Sequence, residues 1–255
     1  MNQARFILKK VSLVLPALLL GGALSANAAA PLTSDFQPTA YVYAGKGVCA
    51  EGCVEAVTRL TRRNGIVSVL VRESDLLSDR IRPRVGDIWI QPGGDAIVAS
   101  EAMTAIGLAR VRNWISKGMN YLGFCAGAFL ADRTVDDSET IGGLGLIPFP
   151  TADFLPGQTK AMVLEQNWRG ASRWLYFQEG ATFEMNTIDA AAVKVIATYT
   201  DGRASVIDTR FGSGRVVLSG VHPEALPIWL TDDRLTDPDG SDDDLADELL
   251  GRVSR

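Results

Sequence analysis

Apolar and polar positions alternate along the chain so as to separate short buried strands from one-sided helices. Residues 40–44 (Ala-Tyr-Val-Tyr-Ala) form an apolar run ending in Gly45-Lys46-Gly47, a strand followed by a turn. Over 51–64, Val54, Val57 and Leu60 recur at helical spacing, and Gly65 closes that helix before a second strand at 66–71. A third strand at 87–91 is stopped by Pro92-Gly93-Gly94. The helix after it carries Ile106, Val111, Trp114 and Ile115 on its apolar stripe and ends near Gly118, and residues 119–123 supply a fourth strand. Strands alternating with amphipathic helices predict an α/β fold whose mostly parallel sheet is covered on both faces.

The pattern loosens over 132–180, where Gly142, Gly143, Gly145, Pro148 and Pro150 interrupt it. This reads as an insertion of loops and antiparallel strands, with a strand at 174–177. Runs at 193–199, 205–209 and 215–219 are three further strands, the last leading into Gly220-Val221-His222-Pro223-Glu224. Near the C-terminus, Asp237, Asp239, Asp242, Asp243 and Asp244 invite a calcium loop, but the glycine position does not fit the EF-hand pattern. A closing helix explains them better, with Ser241 as N-cap, acids in the first turn and Leu245, Leu249 and Val253 on one stripe.

Residues 1–28 have the form of a secretory signal peptide. Arg5, Lys9 and Lys10 precede an apolar stretch at 11–24, and Ala26-Asn27-Ala28 offers small residues for cleavage. At 14 residues this stretch falls short of the about 20 a spanning helix needs. The expected organisation is therefore a signal at 1–28, a linker at 29–39 and one domain at 40–255, exported to the periplasm or secreted, without stable membrane insertion. Losing three cationic and no acidic residues takes the formal net charge from −5 to −8. Nucleic acid, which selects a basic footprint, is not an expected partner.

Export changes how the three cysteines are read, because an oxidising compartment permits disulfides. Cys49 and Cys53 are close enough to pair; the other arrangement joins Cys49 to an oxidised Cys125. No metal set is visible, since Cys49 and Cys53 lack two further ligands nearby and the sole histidine is distant in sequence. Cys125 sits in Gly123-Phe124-Cys125-Ala126-Gly127 between a strand and a helix, the cysteine form of a nucleophile elbow. A helix N-terminus also favours the thiolate, the nucleophilic form. His222 is the only candidate base, and Glu224, two residues on in an extended segment, lies on the same side to orient the ring. The Ala126 N–H, with those of Gly93 and Gly94 at another strand end, would make an oxyanion hole. Tyr43, Lys46, Tyr176, Gln178 and Glu179 are candidates for touching substrate around the mouth.

These blocks, with Tyr176-Phe177-Gln178-Glu179-Gly180, Phe183 and the Gly214–Gly220 run, resemble the class I glutamine amidotransferase-like superfamily. Within it the closer resemblance is to the family named for the N-terminal domain of biotin-protein ligase. The resemblance implies a flavodoxin-like three-layer α/β/α sandwich and a Cys125-His222-Glu224 triad. Ala126 separates the chain from relatives with a histidine directly after the nucleophile. No biotin-ligase catalytic domain follows the motif, so biotin ligation is not expected, and ammonia transfer to a synthetase is implausible outside the cytoplasm. The expected activity is hydrolysis of a small-molecule or peptide amide without a cofactor, water being the acyl acceptor. The alternative is a ligand-binding or redox-sensing module that keeps the triad geometry without turnover. Nothing in the sequence indicates an oligomeric state.

Overall fold

The computed structural model describes residues 36–78, 80–136, 138–186 and 191–255. The expected signal at 1–28 and the expected linker up to residue 35 lie outside them. Among the described residues no helix is long and apolar enough to cross a membrane.

The chain runs β1 (Thr39–Tyr43), α1 (Cys53–Arg63), β2 (Val67–Val71), α2 (Glu73–Leu76), β3 (Ile88–Gln91), α3 (Ala96–Ser116), β4 (Asn120–Phe124) and α4 (Ala126–Leu130). There follow β5 (Thr151–Asp153), β6 (Met162–Trp168), β7 (Ala171–Phe177), β8 (Ala181–Phe183), β9 (Lys194–Tyr199), β10 (Ala204–Phe211), β11 (Gly214–Ser219), α5 (Pro227–Asp232) and α6 (Asp243–Val253). Nine strands form one sheet in the order β2-β1-β3-β4-β11-β10-β9-β6-β7, while β5 and β8 pair apart from it. From β2 to β11 neighbouring strands are parallel; from β11 to β7 they are antiparallel. Every residue of β3 and β4 is buried, as befits parallel strands covered on both faces.

Two apolar layers sandwich this sheet. On one face, Val57 and Leu60 of α1 and Leu245, Leu249, Leu250 and Val253 of α6 pack on Val42, Ile90, Leu122 and Val217. Arg59 and Arg63 bind Asp243 at 2.8 and 2.6 Å and Arg63 binds Asp247 at 2.6 Å, tying the two helices together. On the other face, Met103, Val111 and Ile115 of α3 and Ala128 and Leu130 of α4 pack on Trp89, Tyr121 and Leu218. The expected α/β/α sandwich is thus present.

Three local expectations are corrected. Ile106 is 64% exposed, because the buried stripe of α3 runs at four-residue spacing through Ala99, Met103, Gly107, Val111 and Ile115 and leaves it off that face. The 132–180 segment is not a separate insertion throughout, since β6 pairs with β9 and, with β7, extends the main sheet. Its tight turn falls at Arg169 (φ 53) and Gly170 (φ 94), both left-handed, as a two-residue hairpin requires. At α6 the N-cap is Asp242 and not Ser241. Arg173 of β7 gathers Asp239, Asp242 and Asp244 at 3.0, 3.1 and 2.8 Å, which holds the acidic run against the sheet and sets where the helix begins.

Candidate active site

The C-terminal ends of β3, β4 and β11 lie side by side in the parallel half of the sheet, the edge where α/β sheets place their ligand crevice. Cys125 follows β4 with φ 49 and ψ −108, a backbone conformation rare for a residue with a side chain. Its N–H donates to the Ser219 carbonyl at 2.8 Å, anchoring the turn to β11. The flanking glycines are required by contact. A Cβ on Gly123 would lie 2.4 Å from the Gly127 carbonyl oxygen, and one on Gly127 would lie 2.3 Å from that of Gln91. Cys125 is the free cysteine, with 6% of its surface exposed. Its Sγ–H points at the Gln178 carbonyl, 3.5 Å away. Because α4 is only five residues long, few peptide dipoles align behind the sulfur.

The imidazole beside the sulfur is that of His222. Its backbone N–H donates to the Tyr176 carbonyl at 2.9 Å, which ties the segment after β11 to the end of β7. Its Nδ1 lies 2.9 Å from Glu224 Oε1, so the i, i+2 arrangement read from sequence is realised. Tyr176 and Trp229 meet the imidazole edge-on, with centroids 5.8 and 5.5 Å away. Both His222 and Glu224 are buried, and Glu224 Oε2 has no hydrogen-bond partner. The carboxylate therefore directs its charge to the ring. Burial alone would strip the proton from His222, but the Glu224 charge and the hydrogen bond with Cys125 outweigh it and push the pKa up to about 10.

Gly93 closes the group. A Cβ there would lie 2.7 Å from His222 Cε1, 3.5 Å from Cys125 Cβ and 3.4 Å from Cys53 Sγ. Only glycine lets Cys125, His222 and the chain after β3 converge. The Ala126 N–H, at the first position of α4, has no acceptor within its helix. Gly94 (φ 141) faces the main chain of Gly47, and its carbonyl-side neighbour Asp95 donates its N–H to the Gly47 oxygen at 2.7 Å. Cys49 and Cys53 form a disulfide, so the local pairing is the one present.

The five candidate substrate contacts separate. Tyr43 is wholly buried in the core, and its hydroxyl donates to Lys46 O and Glu73 Oε1; it is a packing residue and not a mouth residue. Lys46 is exposed, with its backbone N–H on Glu73. Tyr176 is buried against His222, and its hydroxyl donates to Asp233 Oδ2 at 2.7 Å. Burial and Asp233 raise its pKa. Gln178 and Glu179 are exposed, and Gln178 also supplies the carbonyl facing the thiol. A cavity of about 710 Å³ opens beside them, bounded by Gly94, Phe129, Asp132, Arg133, Phe149 and Glu179. Sequence reasoning passed over Trp229 and the placement of Cys53 against Gly93; neither carries a local motif. Among the described residues no three His, Cys, Asp or Glu side chains are grouped to hold a metal ion.

The family model described as "Biotin-protein ligase, N terminal" matches residues 39–146 and 151–251. The chain belongs to this family. Over 172 residues, 60% of this chain, it is 28% identical to an uncharacterized protein of Chlamydia muridarum, covering 66% of that protein. Over 160 residues, 54% of this chain, it is 27% identical to a biotin–protein ligase of Schizosaccharomyces pombe, covering 25% of that enzyme. The chain thus spans less than two thirds of either relative. Among solved structures, a glutamine amidotransferase superposes with a TM-score of 0.59 at 18% identity, over 85% of this chain and 100% of that one. The fold is therefore that of the glutamine amidotransferases.

Proposed function

We propose that this chain is an exported cysteine-dependent amide hydrolase working through Cys125, His222 and Glu224. The observation that carries the reading is the convergence on Gly93, where the free thiol and a Glu224-bound histidine face one another. Cys125 Sγ attacks the substrate carbonyl carbon, and the oxygen takes up negative charge. The Ala126 N–H and the Gly93-Gly94 turn border the place where that charge develops. His222, held protonated, delivers its proton to the departing amine, leaving a thioester on Cys125. Water, deprotonated by His222, attacks the thioester, and expulsion of the Cys125 sulfur with its bonding electrons restores the thiolate–imidazolium pair as the acid leaves. The amidotransferase-like fold supports this class of chemistry. The Cys49–Cys53 disulfide fits an oxidising compartment.

The test is Cys125→Ala against a panel of amides and esters. Turnover and labelling by a thiol-directed probe should both vanish; persistent hydrolysis by the purified variant would sink the reading.

A further inference from the structure

We propose that the five-residue ring closed by the Cys49–Cys53 disulfide is a positioning element of the catalytic site, holding the turn after β3 and the histidine in register at once. The inference rests on the hydrolase reading for its consequence, but its geometry stands apart from any substrate.

The ring touches both halves of the site. On one side, Cys49 N–H donates to the Gly93 carbonyl at 3.1 Å, and Val48 bridges to Gly94 as a short antiparallel ladder. On the other, the Glu51 carbonyl accepts from Trp229 Nε1–H at 2.6 Å, and Trp229 packs edge-on against His222. Between them Cys53 Sγ sits against Gly93, in line with the nucleophile and the ring across the space where a side chain would be. Cys53, Trp229 and Tyr176 share one small apolar cluster with Leu226.

The segment that does this has no regular structure of its own before α1, and glycines stand at 45, 47 and 52. Such a stretch is costly to order. Closing it between Cys49 and Cys53 removes much of its freedom in advance. Opened, the ring would release Gly93 and Trp229 together. His222 would keep Glu224 but lose its fixed distance to the sulfur.

The test reads geometry through Cys125 reactivity and needs no substrate. In the Cys49→Ser/Cys53→Ser variant Cys125 is the sole cysteine, as it is the sole free thiol of the native protein. Carboxamidomethylation by iodoacetamide is followed at pH 6 and pH 9 in both. In the native protein the protonated His222 beside the sulfur sustains the reaction at pH 6. In the variant the ratio of the pH 6 rate to the pH 9 rate should fall at least tenfold, with circular dichroism unchanged. A folded variant whose ratio stays within twofold of the native one overturns the proposal and leaves the disulfide a purely structural staple. Trp229→Phe supplies the second arm should the double variant fail to fold. It keeps the disulfide and an aromatic ring but loses the N–H to Glu51, and should lower the ratio threefold or more; an unchanged ratio overturns the link from the ring to His222. Failure of the hydrolase reading would appear instead as a normal alkylation ratio without turnover on any amide.

Discussion

At the residue scale the site depends on what Gly93 lacks. Gly93→Ala would press a methyl group to 2.7 Å from His222 Cε1, and the imidazole must give way because the neighbouring chain is tied to Cys49. A displacement of about 1 Å costs roughly a hundredfold in rate, so kcat should fall by about that factor while the melting temperature moves little. Glu224→Gln acts differently. It removes the charge that keeps a proton on His222, so the alkaline limb of the activity profile should shift to lower pH and turnover should drop roughly 10²- to 10⁴-fold. Linkage gives a second readout. With the folded-state value of His222 raised from 6.5 to about 10, its contribution to stability is fully present below about pH 6.5 and is lost as pH rises through about 10. Thermal melts between pH 7 and 10 should therefore decline more steeply for the native protein than for Glu224→Gln.

At the element scale, the acidic run before α6 is held by one cation. Asp244 is largely exposed, so its pairing with Arg173 is weakened by solvent; the Asp242 side chain is 7% exposed, and burial together with Asp237 pushes its pKa up to about 8, so it meets Arg173 chiefly as a hydrogen-bond acceptor. Arg173→Ala should thus cost roughly 1–3 kcal/mol, measured by urea unfolding, with kcat of the folded fraction unchanged because β7 meets the site at its other end. The same run shows why sequence misplaced the cap: five nearby aspartates and a serine offer several local starts, and a partner some 70 residues away in β7 selects among them. Helix α3 teaches a parallel lesson. Val111 and Ile115 were legible as its buried positions, but Ile106 stands five residues before Val111 and falls off the stripe that Met103 and Gly107 continue.

At the scale of the whole molecule, the parallel half of the sheet positions the proposed site and the antiparallel half buttresses it. The Tyr176 carbonyl at the end of β7 receives the His222 N–H, and Gln178 faces the thiol, so the far edge of the sheet in strand order returns to the site. The proposed export belongs to this scale too. Expressed with its first 28 residues in a bacterium with a periplasm, the protein should appear there with a new N-terminus near residue 29, and N-terminal sequencing checks it. Cytoplasmic protein that keeps Met1 would remove the argument for water as acceptor that rests on compartment.

The sequence by itself determined the alternating strands and helices, the elbow at Cys125 and the His222–Glu224 pair. Each of these is local: burial period, glycine spacing and i, i+2 geometry act within a few residues. Only the tertiary structure decided that Tyr43 is core, that β6 and β7 complete the main sheet, and that Cys53 and Trp229 border the space around Cys125 and His222. Those facts arise where chain segments far apart in sequence compete for one space, and no local pattern records which of them wins.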